Sequence, residues 1–254
     1  MNYKMLLFLW GFLYSCCFSC IIDMILLGRC SPVGNFMKID LKTYARAEHF
    51  LHFLNEAPCE ISLADDIDVT ALREACHVTG RSFYRTFLYI VSYIVNSRDE
   101  FRMTAVRSGG KYHPAVWDIL HPVHNVFHED TETYTSIFSL FDRDMDTFCR
   151  NAADDMARAE KLSVMSVPAM GNNTFEASCL PWRHFTSVGI THPVENCTSL
   201  APIIVWGGFR ETGGRTYLPL SVTIHHAAAD GFHLARFLNE AETLSAGIAG
   251  RLLK

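Results

Sequence analysis

Hydrophobic and polar residues recur along the chain with two different periods, which predicts interleaved helices and strands. Helical spacing marks residues 44–54, 68–77, 83–95, 142–161 and 232–244. Alternating or short apolar runs predict strands at residues 61–67, 102–106, 112–117, 123–128, 132–139, 175–180, 184–190, 203–209 and 216–223. Because helices interleave with strands, the predicted fold class is α/β, with a two-layer mixed sheet packed against helices.

Glycine pairs mark the turns between these elements. Ser108-Gly109-Gly110 predicts a hairpin, and Gly213-Gly214 predicts a turn into the strand that ends at His225. The pair Gly207-Gly208 predicts a bulge at a strand end.

Composition excludes some classes of partner. The net charge is −5 and no run of Lys or Arg is present, which argues against nucleic acid, because binding phosphates requires a clustered basic face. The nine cysteines show no zinc-type pairing, and four of them fall within the first thirty residues. We therefore expect free thiols, as in an intracellular enzyme.

The segment most indicative of chemistry is residues 224–233, Ile-His-His-Ala-Ala-Ala-Asp-Gly-Phe-His, between the last predicted strand and the last helix. A neutral imidazole at His226 can accept a proton from an alcohol and return it later. If His225 still belongs to the strand it points to the opposite face, and it is then structural, as is His233 on the helix. Adjacent strand histidines diverge, so no metal site is predicted.

This string resembles the active-site signature of chloramphenicol acetyltransferases, which read His-His-x-x-x-Asp-Gly-Phe-His. The shorter His-x-x-x-Asp-Gly core also occurs in other CoA-dependent acyltransferases. The resemblance extends over residues 37–244, with residues 144–175 matching poorly. It is carried by Arg-Ala-Glu-His-Phe at 46–50, Glu-Phe-Arg-Met at 100–103, Val-Trp-Asp at 116–118, Val-Phe-His-Glu-Asp-Thr-Glu-Thr at 126–133, Leu-Pro-Trp at 180–182, Ala-Pro-Ile-Ile at 201–204 and Leu-Pro-Leu-Ser-Val at 218–222.

The resemblance implies a fold, an assembly and a set of site residues. It implies the CoA-dependent acyltransferase fold and a homotrimer with active sites between neighbours. Acetyl-CoA is then a co-substrate, and no cofactor is permanently bound. His226 becomes the general base, Ser178 stabilises the oxyanion, and Asp230 pairs with Arg46. Phe209 stands where family members carry an aromatic residue, usually tyrosine, that contacts CoA.

The implied acceptor pocket departs from the family at four positions. Phe53 replaces a tyrosine, Val205 a threonine, Val188 a phenylalanine and Tyr134 a phenylalanine. A site that loses a hydroxyl partner can reject a substrate strongly, so acetyl transfer is better supported than any one acceptor. Chloramphenicol is the leading named acceptor, which would make the activity one of antibiotic resistance.

Two other functions stay open. One is an acyltransferase of the same fold for a different hydroxyl or thiol acceptor. The other is a catalytically silent trimer that acts as a binding or anchoring protein, an alternative supported by the apolar N-terminal segment and opposed by the presence of His226 and Ser178.

The N-terminal segment is unusually apolar. Residues 5–22 carry no charge, with Lys4 before them and Asp23 after them. They fit a membrane span, for which about 17–25 apolar residues suffice, or a signal peptide with Lys4 as its basic region. The third interpretation is a start upstream of the true one, because Met37 opens a hydrophilic run. We favour the third, since acetyl-CoA is cytoplasmic, and expect a leader at 1–36 and a cytoplasmic acetyltransferase domain at 37–254.

Overall fold

The computed structural model describes residues 34–166, 171–192 and 198–254, so most of the predicted leader lies outside the described residues. The helices are α1 (Ala47–Asn55), α2 (Thr70–Val78), α3 (Phe83–Ser97), α4 (Met145–Ala159) and α5 (Gly231–Leu252). The strands are β1 (Phe36–Lys38), β2 (Glu60–Asp68), β3 (Met103–Ser108), β4 (Lys111–Trp117), β5 (His121–His128), β6 (Thr133–Phe138), β7 (Thr174–Leu180), β8 (Ile203–Gly207), β9 (Arg210–Thr212) and β10 (Arg215–His225).

The strands form two sheets. The larger is mixed, with the order β2-β10-β8-β7-β5-β6 and β9 paired to β10, and the smaller has the order β1-β4-β3. Strand β7 runs parallel to β5 and β8, while β10 is antiparallel to β2 and β8. The predicted α/β class with a mixed sheet is therefore confirmed.

One face of the large sheet packs against the helices. Ile204 and Trp206 of β8 and Val222 and Ile224 of β10 are buried in one core cluster that includes α3 residues. Helix α3 buries residues around most of its circumference, as its nearly continuous apolar sequence predicts. Because side chains alternate along a strand, Val205, Ser221, Thr223 and His225 point to the opposite face.

That opposite face is crossed by residues 182–192, which we call the strap. A strand was predicted at 184–190, and this prediction is wrong, because the strap carries no strand pairing. Its polar groups are instead bonded to the sheet beneath: Gly208 donates its amide to the carbonyl of Arg183 at 2.9 Å, and His184 Nε2 lies 2.8 Å from Asp66 Oδ1.

Gly207 and Gly208 mark where the strap approaches the sheet most closely. Instead of the predicted bulge, Gly207 keeps regular register with Leu180 on β7. A Cβ atom at Gly207 would lie 2.8 Å from the Arg183 carbonyl oxygen, and one at Gly208 would lie 2.8 Å from that of Pro181. The glycines are therefore needed for close approach of two backbones.

Candidate active site

The turn from β10 into α5 is built by its own sequence. Asp230 is the N-cap of α5, accepting the amide of Phe232 at 3.2 Å, and the ring of His233 accepts the amide of Asp230 at 3.1 Å. This reciprocal capping fixes the turn immediately after β10 ends at His225. The amide of His226 donates to the carbonyl of Cys59 at 2.9 Å, which ties the turn to the segment before β2.

The predicted base His226 is held in one orientation. Its Nδ1 lies 3.0 Å from the carbonyl oxygen of Ala229, which can only accept, so Nδ1 carries the proton and Nε2 keeps its lone pair. The ring of Phe53 stacks on the imidazole with centroids 3.8 Å apart and planes 16° from parallel. This geometry leaves Nε2 as the basic atom of a half-buried histidine.

Asp230 forms an ion pair with Arg46 and lies 2.8 Å from His233 Nδ1. Burial raises the pKa of Asp230, but the charges of His233 and Arg46 and their hydrogen bonds outweigh it, and the net pKa is below its ordinary value. Arg46 also donates from Nη2 to the His226 carbonyl at 3.3 Å. Within the described residues the carboxylate bonds Arg46, Phe232 and His233 and not the His226 ring, so it braces the turn and is not placed to relay protons.

His225 lies on the sheet face opposite the helices and is only 2% exposed. Its Nδ1 accepts the amide of Ala227 at 3.1 Å. Burial lowers the pKa of His225, and the neighbouring charge of His226 lowers it further. The imidazole of His225 is therefore buried within its own turn, which agrees with the structural role expected for it but does not test that role.

A second group of predicted site residues lines a cleft that lies where β5 and β7 separate. Strands β5 and β7 pair over only three residues, ending at Val123 and Glu176. Past that point lies a cleft of about 720 Å³, lined by residues that include Ser178, Tyr134 and Phe209.

Ser178 faces the strap. It shares register with Val205 on β8, and Val205 points to the same face as Gly207, which the strap contacts. Val205 is 3% exposed, and Val188 is half-buried within the strap. The fold therefore gathers Ser178, Val205 and Val188 on the strap-covered side of the sheet.

Phe209 stands at the mouth of the cleft, 39% exposed. Its ring meets Phe83 edge to face at 4.8 Å, and the guanidinium of Arg73 lies over it at 4.9 Å. This arrangement leaves part of an aromatic ring open to a ligand.

Cys179, beside Ser178, is not a competing nucleophile. Burial raises the pKa of its thiol to about 12, against a smaller opposing effect of a hydrogen bond from Trp206. The thiol is therefore protonated at neutral pH, and a protonated thiol is a poor nucleophile.

The two groups do not meet within one chain. Ser178 is level with Val205 and Val205 with Ser221, whereas His226 lies beyond the end of β10. His226 lies five positions after Ser221, which at a strand rise of about 3.4 Å per residue places them roughly 17 Å apart along the sheet. One chain thus presents a base with Phe53, Arg46 and Asp230 at one place and a serine-lined cleft at another.

Sequence reasoning missed two contributors to the cleft. Asn125 on β5 donates its side-chain amide to Ser178 Oγ at 3.5 Å across the opening. Trp182 packs edge to face against Phe127 at 4.7 Å, and both line the cleft. Strand β5 mixes polar and apolar residues and carries three histidines besides Asn125, so no local signal singled out Asn125, and the parallel partner of β5 could not be identified from the sequence.

Residues 34–166, 171–192 and 198–254 contain neither a metal-binding cluster nor a membrane-spanning helix. No group of three or more His, Cys, Asp and Glu side chains there could hold a metal ion. Among the same residues, none of the helices combines the length and apolarity needed to span a bilayer.

Comparison with known proteins places this geometry in a family. The sequence model of the family described as chloramphenicol acetyltransferase matches residues 34–242. A chloramphenicol acetyltransferase of Streptomyces acrimycini is 38% identical over 220 residues, which are 85% of this chain and 97% of that protein. One of Campylobacter coli is 36% identical over 210 residues, 82% of this chain and 98% of that protein.

The fold is shared with a solved structure. A chloramphenicol acetyltransferase superposes with a TM-score of 0.68 at 21% identity, over 82% of this chain and 99% of that one. The expected CoA-dependent acyltransferase fold is confirmed, and the enzyme class is acyltransferase. The chain belongs to the chloramphenicol acetyltransferase family.

Proposed function

We propose that this protein is an acetyl-CoA-dependent O-acetyltransferase, with chloramphenicol as its leading acceptor. The observation that carries the proposal is the orientation of His226, whose Nδ1 faces the Ala229 carbonyl and whose Nε2 keeps a lone pair. That atom removes the proton from the acceptor hydroxyl. The names of the relatives support acetyl transfer to chloramphenicol.

The reaction needs one base and one oxyanion donor. As Nε2 of His226 takes the hydroxyl proton, the oxygen attacks the thioester carbonyl carbon and forms a C–O bond. The Ser178 hydroxyl donates to the oxyanion of the tetrahedral intermediate, a donor worth roughly 3 kcal/mol. The C–S bond then breaks, and the leaving thiolate receives the proton from His226.

The site is shared between copies in this proposal. Because His226 and Ser178 lie roughly 17 Å apart along the sheet of one chain, they act on the same atoms only if a neighbouring copy brings its His226 to this cleft. A closed homotrimer supplies such a contact three times, by the same head-to-tail interface. Its active sites then lie between neighbours.

Acetyl-CoA is a co-substrate here and not a bound cofactor. The cleft of about 720 Å³ has a suitable size for an extended ligand. Phe209 and Phe83 at its mouth provide a platform for the adenine, and Ser178 lies further in. Since acetyl-CoA is made and used in the cytoplasm, we propose a cytoplasmic enzyme.

The acceptor side is where this chain differs from the family pattern. Phe53 stacks on His226, so a phenyl ring keeps the packing that a tyrosine ring would give but offers no hydroxyl. Val205 lies level with Ser178 and offers no hydroxyl either. These departures favour a second candidate, the same chemistry on a different hydroxyl-bearing acceptor.

A thiol-release assay tests the activity. Purified protein is given acetyl-CoA and a panel of alcohols that includes chloramphenicol, and free CoA is followed with a thiol reagent. We expect acceptor-dependent release that His226→Ala removes. Acceptor-independent release, or none with any alcohol, would contradict an O-acetyltransferase.

Mixing inactive variants tests the shared site. His226→Ala and Ser178→Ala chains are unfolded together, refolded together and assayed. With shared sites, equal random mixing restores about a quarter of the intact site count, because one chain supplies the base and its neighbour the serine. No restored activity in mixed trimers would place both residues in one chain's site and refute sharing.

A further inference from the structure

The strap is attached to the sheet at both of its ends. At its start the Arg183 carbonyl accepts from Gly208, and His184 Nε2 meets Asp66 on β2 at 2.8 Å. At its end His192 contacts Glu60 on β2 and Glu176 on β7. Residues 186, 187 and 189–191 between these attachments are exposed. The path of the strap is therefore determined by its two ends.

His192 makes three contacts with two carboxylates. Its amide donates to Glu60 Oε2 at 3.1 Å, its ring Nδ1 lies 3.5 Å from Glu60 Oε1, and its Nε2 lies 3.1 Å from Glu176 Oε1. Strands β10 and β8 lie between the two carboxylate-bearing strands. One imidazole thus links strands that are not neighbours.

Ser178, Val205 and Ser221 lie level with one another on β7, β8 and β10, and we call them the Ser178 row. The two attachments of the strap lie on either side of this row. Asp66 pairs with Pro219, Ala64 with Ser221, and Glu60 with His225. Since Ser178 and Val205 are level with Ser221, their row lies between the two ends of the strap.

The chemistry of imidazole makes this attachment dependent on protonation. An imidazolium has two N–H donors, one for each carboxylate, whereas the neutral ring has one donor and turns a lone pair toward the other carboxylate. The titratable groups around it are Glu60 on β2, Glu176 on β7 and His225, the register partner of Glu60 on β10; β8 presents Ile203 at this level. We call the contacts of the two ring nitrogens with Glu60 and Glu176 the clamp. Both nitrogens can donate to a carboxylate only when the ring is charged.

We propose that His192 is a positioning residue that holds the strap, and with it Val188, over the acceptor side of the Ser178 row. The inference rests on the proposed acetyl transfer. In that reaction, Phe209 and the mouth of the cleft bind acetyl-CoA, and the strap determines how tightly the acceptor binds. Loss of the clamp then weakens acceptor binding without touching the reacting atoms.

The experiment compares His192→Ala and His192→Gln with a matched control, His77→Ala. His77 is an exposed histidine on α2 whose side chain makes no hydrogen bond among the described residues. Kinetic constants are measured with acetyl-CoA and an accepted alcohol. Hydrogen exchange of the strap peptide is followed in parallel, since it reports on the clamp without activity.

We expect His192→Ala to raise the acceptor KM by about five- to tenfold, which is the effect of losing about one net hydrogen bond. The KM for acetyl-CoA and kcat should stay near those of the parent, and strap amides should exchange faster. His192→Gln keeps a side-chain N–H donor but cannot reach both carboxylates with separate nitrogens, so its KM should be intermediate.

Three results would overturn the inference. An unchanged acceptor KM in His192→Ala would do so even with faster strap exchange, and so would an equal effect of His77→Ala or an equal rise in the acetyl-CoA KM. If the parent protein acetylates no alcohol at all, the proposed function fails instead. In that case, hydrogen exchange of the strap peptide in His192→Ala still shows whether His192 holds the strap in place.

Discussion

The ion pair between Arg46 and Asp230 should be strongly coupled. The two side chains are 17% and 34% exposed, and Asp230 also caps α5 and contacts His233. Exposed pairs contribute about 0–1 kcal/mol, and breaking a fully buried pair costs about 3–5 kcal/mol, so we expect about 2 kcal/mol for this pair. Asp230→Ala also removes the cap, worth about 1 kcal/mol.

These magnitudes predict the outcome of a double-mutant cycle. Arg46→Ala should lower the free energy of unfolding by about 2 kcal/mol, Asp230→Ala by about 3, and the double variant by about 3 instead of the additive 5, a coupling of about 2. Asp230→Asn keeps a capping oxygen and should lose less than Asp230→Ala. Urea unfolding is measured at one fixed chain concentration, because assembly itself adds stability.

Asp144 provides the matched control. It caps α4 by accepting the Thr147 amide at 2.8 Å, and it forms no ion pair with another described residue. Asp144→Ala should therefore combine additively with Arg46→Ala. Strict additivity of Arg46→Ala with Asp230→Ala, or equal coupling to Asp144, would refute the reasoning.

The ion pair between Arg46 and Asp230 should also determine how the free energy of unfolding changes in acid. The folded-state pKa of Asp230 lies below its ordinary value of 3.8, so the folded state favours the carboxylate. Its contribution is fully present above that ordinary value and is lost as pH falls through the lower folded-state pKa. Asp230→Asn should therefore differ from the parent near neutrality and converge with it in acid.

The remaining predictions concern catalysis, the acceptor and the N-terminal strand. His226→Ala should stay folded and lose nearly all acetyl transfer, while His225→Ala should mainly lose stability; the reverse pattern in thiol-release and melting assays would contradict the assignment. Phe53→Tyr with Val205→Thr should raise kcat/KM for chloramphenicol by about tenfold or more, since each restored hydrogen-bond partner is worth on the order of 1 kcal/mol; no gain would mean that these positions do not govern the pocket. A chain starting at Met37 should be active but about 1 kcal/mol less stable than one starting at Gly34. The reason is that it lacks the edge-to-face contact of Phe36 with Trp117 at 5.3 Å. Equal melting curves of the two chains would show that β1 needs no residue before Met37.

Local features of the fold could be predicted from the sequence. Helix α3 is marked by a long apolar run, and the hairpin at Gly109-Gly110 by glycines that adopt φ of 58° and 78°. The turn at His226 could be located because Asp230 caps the helix that follows it. In each case the determining residues are close together in the chain.

Features that depend on distant pairings could not be predicted. The cleft exists because β5 and β7, about fifty residues apart, pair briefly and then separate. The strap alternates like a strand, but its polar groups bond Asp66, Glu60 and Glu176 on the sheet face instead of a strand edge. The stacking of Phe53 on His226 brings together α1 and the end of β10, which no local pattern reports.

The close approach at Gly207 and Gly208 limits how this enzyme can diversify. Any side chain there would overlap the carbonyl oxygens of Arg183 and Pro181, so Gly207 at the end of β8 and Gly208 directly after it are closed to substitution. The exposed part of the strap meets no such barrier. A mutant library aimed at new acceptors should therefore vary the exposed residues 186, 187 and 189–191 and leave the glycine pair fixed.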